Sequence, residues 1–596
     1  MNEILPYFLR EMDYLKKSGK EFAQRYPGIA SALDFGPDGS RDPHVKQLLE
    51  GFAFLTARVQ RNIDESLGGL TASLLETIAP ALVRPLPSVS ILEMQLKPDQ
   101  GKVTHGYPVK ALSECYTKAT NGVEIRFRTC WGARLWPLKV AKTQVIELSQ
   151  LGITQGVPFG SMGLAIDLIV TDDSTLDSLN IGELDLYFDG DIEKIDAIKS
   201  SILARKTPLV WISNSSGSYL KVAEADLSEP GFERGQSIYP VTSPSDIPFS
   251  LLKSYATYSR AFNFLRVRGI GKPSGLGTTL RLVIALDTSA TSKAADFQVR
   301  LGCVPVVNLF KRTSEPIDVD GSSHEFILHG DLQTARSEEV YAVNSVSRVT
   351  NSKATKHQIR PLAGLTDDNA STEIFWVARK EMSQRAGLTG TDTFIGFVNA
   401  HLQPREPRER IVYADLLCSN RGFAAQLSPG APLWMDGGIK NVQAALVHTP
   451  SASYSGSLSQ ERVLKYLGFL TINRQTIFSL SENVTGAGLK EFLDMVIGDN
   501  PVFSSQVRGI LSVKGEMGVQ PIVAERMRYG LCSGINISID VDRRAFAGGS
   551  LLVFGSVLSH VLAHFVNVNS FVRVEINSEG EVVHTWKPMT GYQSIL

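Results

Sequence analysis

Apolar residues recur at three- and four-residue steps along the stretch that follows Asp42: Val45, Leu48, Leu49, Phe52, Leu55, Val59, Ile63 and Leu67. Lys46, Glu50, Arg58, Arg61 and Asp64 mostly avoid that stripe, and the period predicts an amphipathic helix. Asp42 is placed to cap its free N–H groups, and Pro43 suits its first position. Gly68-Gly69 is expected to end it after roughly 25 residues, close to 40 Å at ~1.5 Å per residue. Thr71 then caps a short second helix through Ile78, and Arg84-Pro85-Leu86-Pro87 stops helical structure. Upstream, Ile4, Phe8, Met12 and Leu15 share one face of a first helix, broadened by Leu5 and Leu9 and broken at Ser18-Gly19. Periodicity alone is satisfied by an ordinary core helix. A helix this long beside a chain of β character could equally lend its stripe to another subunit.

From Ser88 the pattern changes to short runs, SVSILEMQL, VTHGYPVKA, VEIRFRT and ARLWPLKVAKTQVIEL, separated by Gly, Pro and an Asn121-Gly122 turn. These are strand signals. GLAIDLIVT, LDLYFDG, TPLVWIS and YLKVAEADL continue them, residues 251–265 read as helix and then extended chain, and residues 278–285 as a strand. VPVVNLF, EFILHG, EVYAVNSV, EIFWVARK and IVYADLLCSN carry strands to about residue 420. VLKYLGFL and GLKEFLDMVI return to helix. Near the end Ile535, Ile537, Ile539 and Val541 alternate with Asn536, Ser538, Asp540 and Asp542, a half-buried strand, and a charge-free helix and a hairpin around Ser578-Glu579-Gly580 follow. The predicted fold is therefore multidomain α+β. It comprises N-terminal helices (1–87), two β-rich domains of sandwich or barrel character (88–270 and 271–425), and a C-terminal α+β domain (426–596).

Composition narrows the function classes. A chain of 596 residues exceeds one core, and 43% hydrophobic with 20% charged residues is a soluble globular profile. The net charge of −1 argues against nucleic acid as a main partner. Five cysteines, Cys115, Cys130, Cys303, Cys418 and Cys532, are far apart and form no CxxC pair, which favours reduced thiols in a cytosolic protein. The start, MNEILPYFLREMDYLKK, carries acids and reads as a helix rather than a signal peptide. Residues 545–572 lack Asp, Glu, Lys and Arg, and the segment is about long enough to span a bilayer. His560, His564, Asn567 and Asn569 dilute it and strand patterns flank it, so a buried helix is expected there and no membrane insertion.

Candidate chemistry is sparse. His560 and His564 have the spacing of two metal ligands on a helix, but Val-Leu-Ala lies between them and no third ligand is evident. Gly269, Gly271, Gly275 and Gly277 lie in a loop, GIGKPSGLG, that lacks both phosphate-binding spacings and precedes a strand, so a hairpin connection is expected. Asp318 with Asp320, and Asp540 with Asp542, sit at alternate positions as on solvated strand faces. No catalytic, cofactor-binding or metal-ligating residue is assigned, and no cofactor.

The run LLEGFAFLTARVQRNIDESLGGLTASLLETIAPALVRPLPSVSIL closely resembles the N-terminal signature of the TssF family (also called VasA or ImpG), baseplate components of the bacterial type VI secretion system. FAQRYPGIA precedes it. LLKSYATYSRAFNFLRV resembles a second family region, with Ser254 and Thr257 as departures. CVPVVNLFKRTSEPI, residues 303–317, resembles its most recognisable internal motif. The ending FGSVLSHVLAHFVNVNSFVRVEI with Trp586 and Pro588 is similar to its C-terminal region, with Met589 where an arginine is usual.

The resemblance implies a structural protein, not an enzyme. Two copies join one TssG to form a wedge core, TssK trimers attach to it, and six wedges surround the spike and start sheath growth. TssE, the VgrG spike and the sheath and tube components are further implied partners. The implied place is the cytoplasm, in a baseplate docked to the inner-membrane complex. The helices of residues 1–87 would then contribute to an inter-subunit bundle, with Val45, Leu48, Leu49, Phe52, Leu55, Val59 and Ile63 as its contacts. The alternative, a β-rich carbohydrate-acting or ligand-binding protein, requires a deep pocket with perturbed titratable groups. A protein anchored in the membrane by residues 549–568 would require detergent.

Overall fold

The computed structural model describes residues 4–592 apart from interruptions, the longest at 288–296, 363–373, 455–464 and 467–485, with others of one to five residues. The fold is multidomain α+β. It divides into two compact units, Met1–Leu75 with Leu458–Leu467, and Glu76–Ser457 with Gly468–Leu596.

The first unit holds the helix Leu5–Arg25, a short helix Pro27–Ala32, a two-residue-stranded hairpin, and most of the helix Pro43–Ile78. Both long helices outrun their expected stops. The first continues through Ser18-Gly19, and the second is a single 36-residue helix through Gly68-Gly69. Glycine in a helix costs about 1 kcal/mol relative to alanine, which weakens a helix without ending it where no left-handed residue is needed. Of the VLKYLGFL segment, Lys465 and Tyr466 are helical and the rest lies outside the described residues.

In the second unit, alternating strands build a closed barrel and four further main sheets. A closed antiparallel barrel runs in the order Cys303–Val307, Val89–Leu96, Val442–Leu446, Pro432–Met435, Glu114–Lys118, Glu124–Thr129, and back to Cys303–Val307. A sandwich follows. Its five-stranded sheet, Tyr219–Lys221, Val210–Ser213, Thr279–Ala285, Met162–Val170 and Leu138–Glu147, faces a four-stranded sheet of Asp226–Ser228, Phe264–Gly271, Ile181–Gly190 and Phe297–Arg300. Leu164, Ile166, Leu280 and Leu282 of one sheet pack in a single core with Leu184, Leu186, Leu265 and Val267 of the other. Strands Phe264–Gly271 and Thr279–Ala285 thus belong to different sheets, so the glycine-rich loop between them crosses the sandwich and is no hairpin; Gly275 lies outside the described residues. Gly269, at φ 87°, brings the backbone so close to the Glu224 carbonyl that a Cβ would lie 2.3 Å from its oxygen.

The third sheet has eight strands, among which Ile411–Ser419 pairs antiparallel with Glu339–Thr350. The fourth orders Ile510–Ala524, Met527–Val541, Phe571–Ser578 and Glu581–Thr585, with Met589–Thr590 beside the third strand. Its parallel pair, Met527–Val541 with Phe571–Ser578, is joined through the helix Leu551–Ala563. That is the charge-free segment. Each of its thirteen residues except His560 is buried, and no helix among the described residues is long and apolar enough to cross a membrane.

Candidate partner interface

The helix Pro43–Ile78 begins where the sequence places its cap. The Asp42 carboxylate accepts the His44 amide at 2.8 Å, and its carbonyl accepts the Lys46 amide at 3.0 Å. Beyond the cap, the apolar residues divide between two faces. Ala53 and Ala57 are buried, and Val45, Leu49, Thr56 and Gln60 are half-buried around them. At about 100° per residue, Leu48, Phe52, Leu55 and Val59 fall together on another face. They are 74, 60, 60 and 57% exposed. Of the seven residues expected at a partner contact, these four share the exposed stripe and Val45 and Leu49 turn inward. The Ile63 side chain lies outside the described residues.

The first helix adds a similar surface. No residue of Leu5–Arg25 is buried, and Leu5, Leu9 and Tyr14 are each more than half exposed. Phe54, at 49% exposure, falls outside the periodic stripe and escapes a reading based on period. Covering side chains of this size is worth about 1.5–3 kcal/mol each. Apolar surface left open at helical spacing is what a partner helix would cover.

Several buried and half-buried charged groups of the second unit are committed to one another. Arg266 donates to both oxygens of Asp185, at 2.6 and 2.8 Å, and to Glu233 at 3.1 Å. Lys199, fully buried, reaches Glu229 at 3.1 Å and donates to the Phe262 carbonyl at 2.9 Å. Burial pushes Asp189 up, but His448 and Arg300 hold its carboxyl below the usual range. A shallow depression is lined by His329, Glu338, Asp392 and Arg421. Its polar atoms are also spent: Arg421 donates to the Glu338 and Thr389 carbonyls, both at 2.9 Å, and to Asp392 at 3.0 Å, while Arg312 holds the Glu338 carboxylate at 2.9 Å. A carboxylate neutralised by a guanidinium is a poor proton acceptor.

His560 and His564 are packing groups. Nδ1 of His560 is 2.8 Å from the Ser556 carbonyl and its ring stacks on Phe232, while His564 stacks on Tyr592, each with centroids 4.4 Å apart. No group of three His, Cys, Asp or Glu side chains suited to a metal occurs among the described residues. The internal motif at residues 303–317 is structural too. Its strand Cys303–Val307 is buried throughout and closes the barrel. Asn308 then exchanges hydrogen bonds with Asn420, donating to its Oδ1 at 2.8 Å and accepting its backbone amide at 2.7 Å.

Comparison with known proteins bears on the whole chain. The family model described as "Type VI secretion system, TssF" matches residues 1–593. The type VI secretion system component TssF1 of Pseudomonas aeruginosa (strain PAO1) is 24% identical over 623 aligned positions, covering 99% of this chain and 98% of that protein. Among solved structures, a chain of the TssK-TssF-TssG baseplate subcomplex is similar with a TM-score of 0.70 at 19% identity, covering 91% of this chain and 98% of its own. A chain of a type VI secretion system baseplate complex is similar with a TM-score of 0.56 at 20% identity, over 99% and 100% of the two chains.

Proposed function

The chain belongs to the TssF family of the type VI secretion system, and on that premise we propose that it is a structural subunit of the baseplate, in complex with TssG and TssK. It acts through its interfaces and carries out no catalysis. Two copies join one TssG as a wedge core to which TssK trimers attach, and the wedges surround the VgrG spike and support TssE, sheath and tube assembly. The subunit works in the cytoplasm, in a baseplate docked to the inner-membrane complex. The helices of residues 1–87 enter an inter-subunit bundle.

The observation that carries this reading is the stripe Leu48, Phe52, Leu55 and Val59, apolar and open to solvent. Neighbouring support is the Leu5, Leu9 and Tyr14 surface. The test is co-expression with TssG and TssK, followed by native mass measurement of the purified assembly. The expected core holds two copies of this chain per TssG; recovery of this chain alone, free of either protein, overturns the reading.

A further inference from the structure

The strand Ile510–Ala524 is 15 residues long and lies at the edge of its sheet, paired on one side with Met527–Val541. No described strand pairs with its outer side. Val513, opposite Ile539, is 1% exposed, whereas Met517 and Val519, further along the same face, are 70 and 64% exposed. The core-facing side of this strand therefore continues outward uncovered. Long open edges invite another strand, and proteins commonly protect them. Here the open stretch carries Lys514, Gly515 and Glu516 in succession, with both charged side chains exposed and in no ion pair among the described residues.

We propose that the outer edge of this strand pairs antiparallel with the same strand of a second copy of the chain, about a two-fold axis at Gly515. Such an axis sets residues equally distant from Gly515 opposite one another. Lys514 of each copy then faces Glu516 of the other, so the contact contains the same charge pair twice. Val513 faces Met517, Ser512 faces Gly518, and Leu511, itself 61% exposed, faces Val519. From Leu511 to Val519 the residue classes run apolar, small, apolar, positive, glycine, negative, apolar, small, apolar. That order reads the same from either end with the charge inverted, as a self-complementary contact requires. The charges also fix the register. Centring the axis on Met517 would set Lys514 against Gln520 and Glu516 against Gly518, and both pairs would be lost.

The contact uses neither TssG nor TssK, so its test is separate from that of wedge assembly. Two full-length copies with different affinity tags are co-expressed without other partners, one is captured, and the other is quantified. The wild-type pair is expected to be captured together. Lys514→Glu paired with itself, and Glu516→Lys paired with itself, each set like charges opposite one another twice and are expected to lose at least about tenfold in capture. Lys514→Glu paired with Glu516→Lys again sets every glutamate against a lysine, and capture is expected to return. Misfolding cannot produce that crossed recovery. Absence of wild-type capture, capture insensitive to both reversals, or a crossed pair that stays lost would each overturn the proposal.

Discussion

Ser550 donates its hydroxyl hydrogen to the Asp196 carboxylate at 2.5 Å, across 354 positions of sequence. Ser550 is the N-cap of the buried helix Leu551–Ala563, and its Oγ accepts the Val553 amide at 2.9 Å. Asp196, on the helix Ile192–Leu203, also accepts the Leu552 amide at 3.3 Å. The carboxylate thus extends the cap, where a helix N-terminus favours negative charge. Burial works against that charge. It pushes the Asp196 carboxyl up to about 6, against the pull of Ser550, the Leu552 and Leu551 amides and Lys199.

The proton linkage at Asp196 gives the first prediction. Its folded value lies above the unfolded one of about 3.9, so between pH 4 and 6 the native state holds a proton that the unfolded state has released. Stability from this group is complete below pH 4 and is lost as pH rises through 6. Asp196→Asn keeps a neutral side chain throughout. The variant should gain on the wild type by on the order of 2 kcal/mol between pH 4 and 7, measured by denaturant unfolding. A difference that stays flat with pH would contradict the linkage.

His564 acts in the opposite sense. Burial, with the nearby His560, lowers its imidazole to about 4, while the unfolded value is near 6.5. Its contribution is complete above pH 6.5 and is lost as pH falls toward 4, because the unfolded chain then takes up a proton that the native state refuses. His564→Phe keeps a ring against Tyr592 and removes the titration. Thermal unfolding of this variant should lose less between pH 6.5 and 4 than the wild type. Over pH 4–6 the Asp196 and His564 effects oppose each other, so the single variants separate what the wild-type curve blends.

Elements set by local pattern were legible in the sequence. The Asp42 cap, the alternation of Ile537, Ile539 and Val541, and the charge-free helix, buried at every residue but His560, follow from residues within one or two turns of each other. The split of the long helix into two faces did not, because Ala53 and Ala57 carry little hydrophobic signal yet let a neighbouring surface come close. Sheet membership is less local still. Cys303–Val307 closes a barrel against strands that begin at Val89 and Glu124, and alternation in a strand says which face is buried without naming its neighbour. The Asp196–Ser550 contact is invisible for the same reason.

Gly555 marks a place where tertiary packing overrides helix propensity. A Cβ there would lie 2.0 Å from Cη2 of Trp586, whose indole N–H donates to Ser556 Oγ at 2.9 Å. Gly555→Ala gains about 1 kcal/mol of intrinsic helix preference, but overpacking a close contact costs about 1–3 kcal/mol. A net fall in the unfolding midpoint is expected. Adding Trp586→Leu should recover part of it, since the obstructing ring is gone. A Gly555→Ala protein as stable as the wild type would show that the ring can move aside at little cost.

Leu48 and Phe52 provide the sharpest separation between folding and assembly. Both are more than half exposed, so Leu48→Asp and Phe52→Asp should each change stability by no more than about 0.5 kcal/mol, as expected of surface sites. At a partner contact the same carboxylates would be driven out of water against an apolar helix, a cost of several kcal/mol without a compensating charge. The double variant should therefore keep the wild-type unfolding midpoint while its recovery with TssG falls below detection. Ala53→Asp is the contrasting case, because its side chain is buried and it should lower the midpoint itself. If the Leu48 and Phe52 variant still assembles in full, the exposed stripe is not the contact, and the surface carried by Leu5, Leu9 and Tyr14 becomes the next to test in the same way.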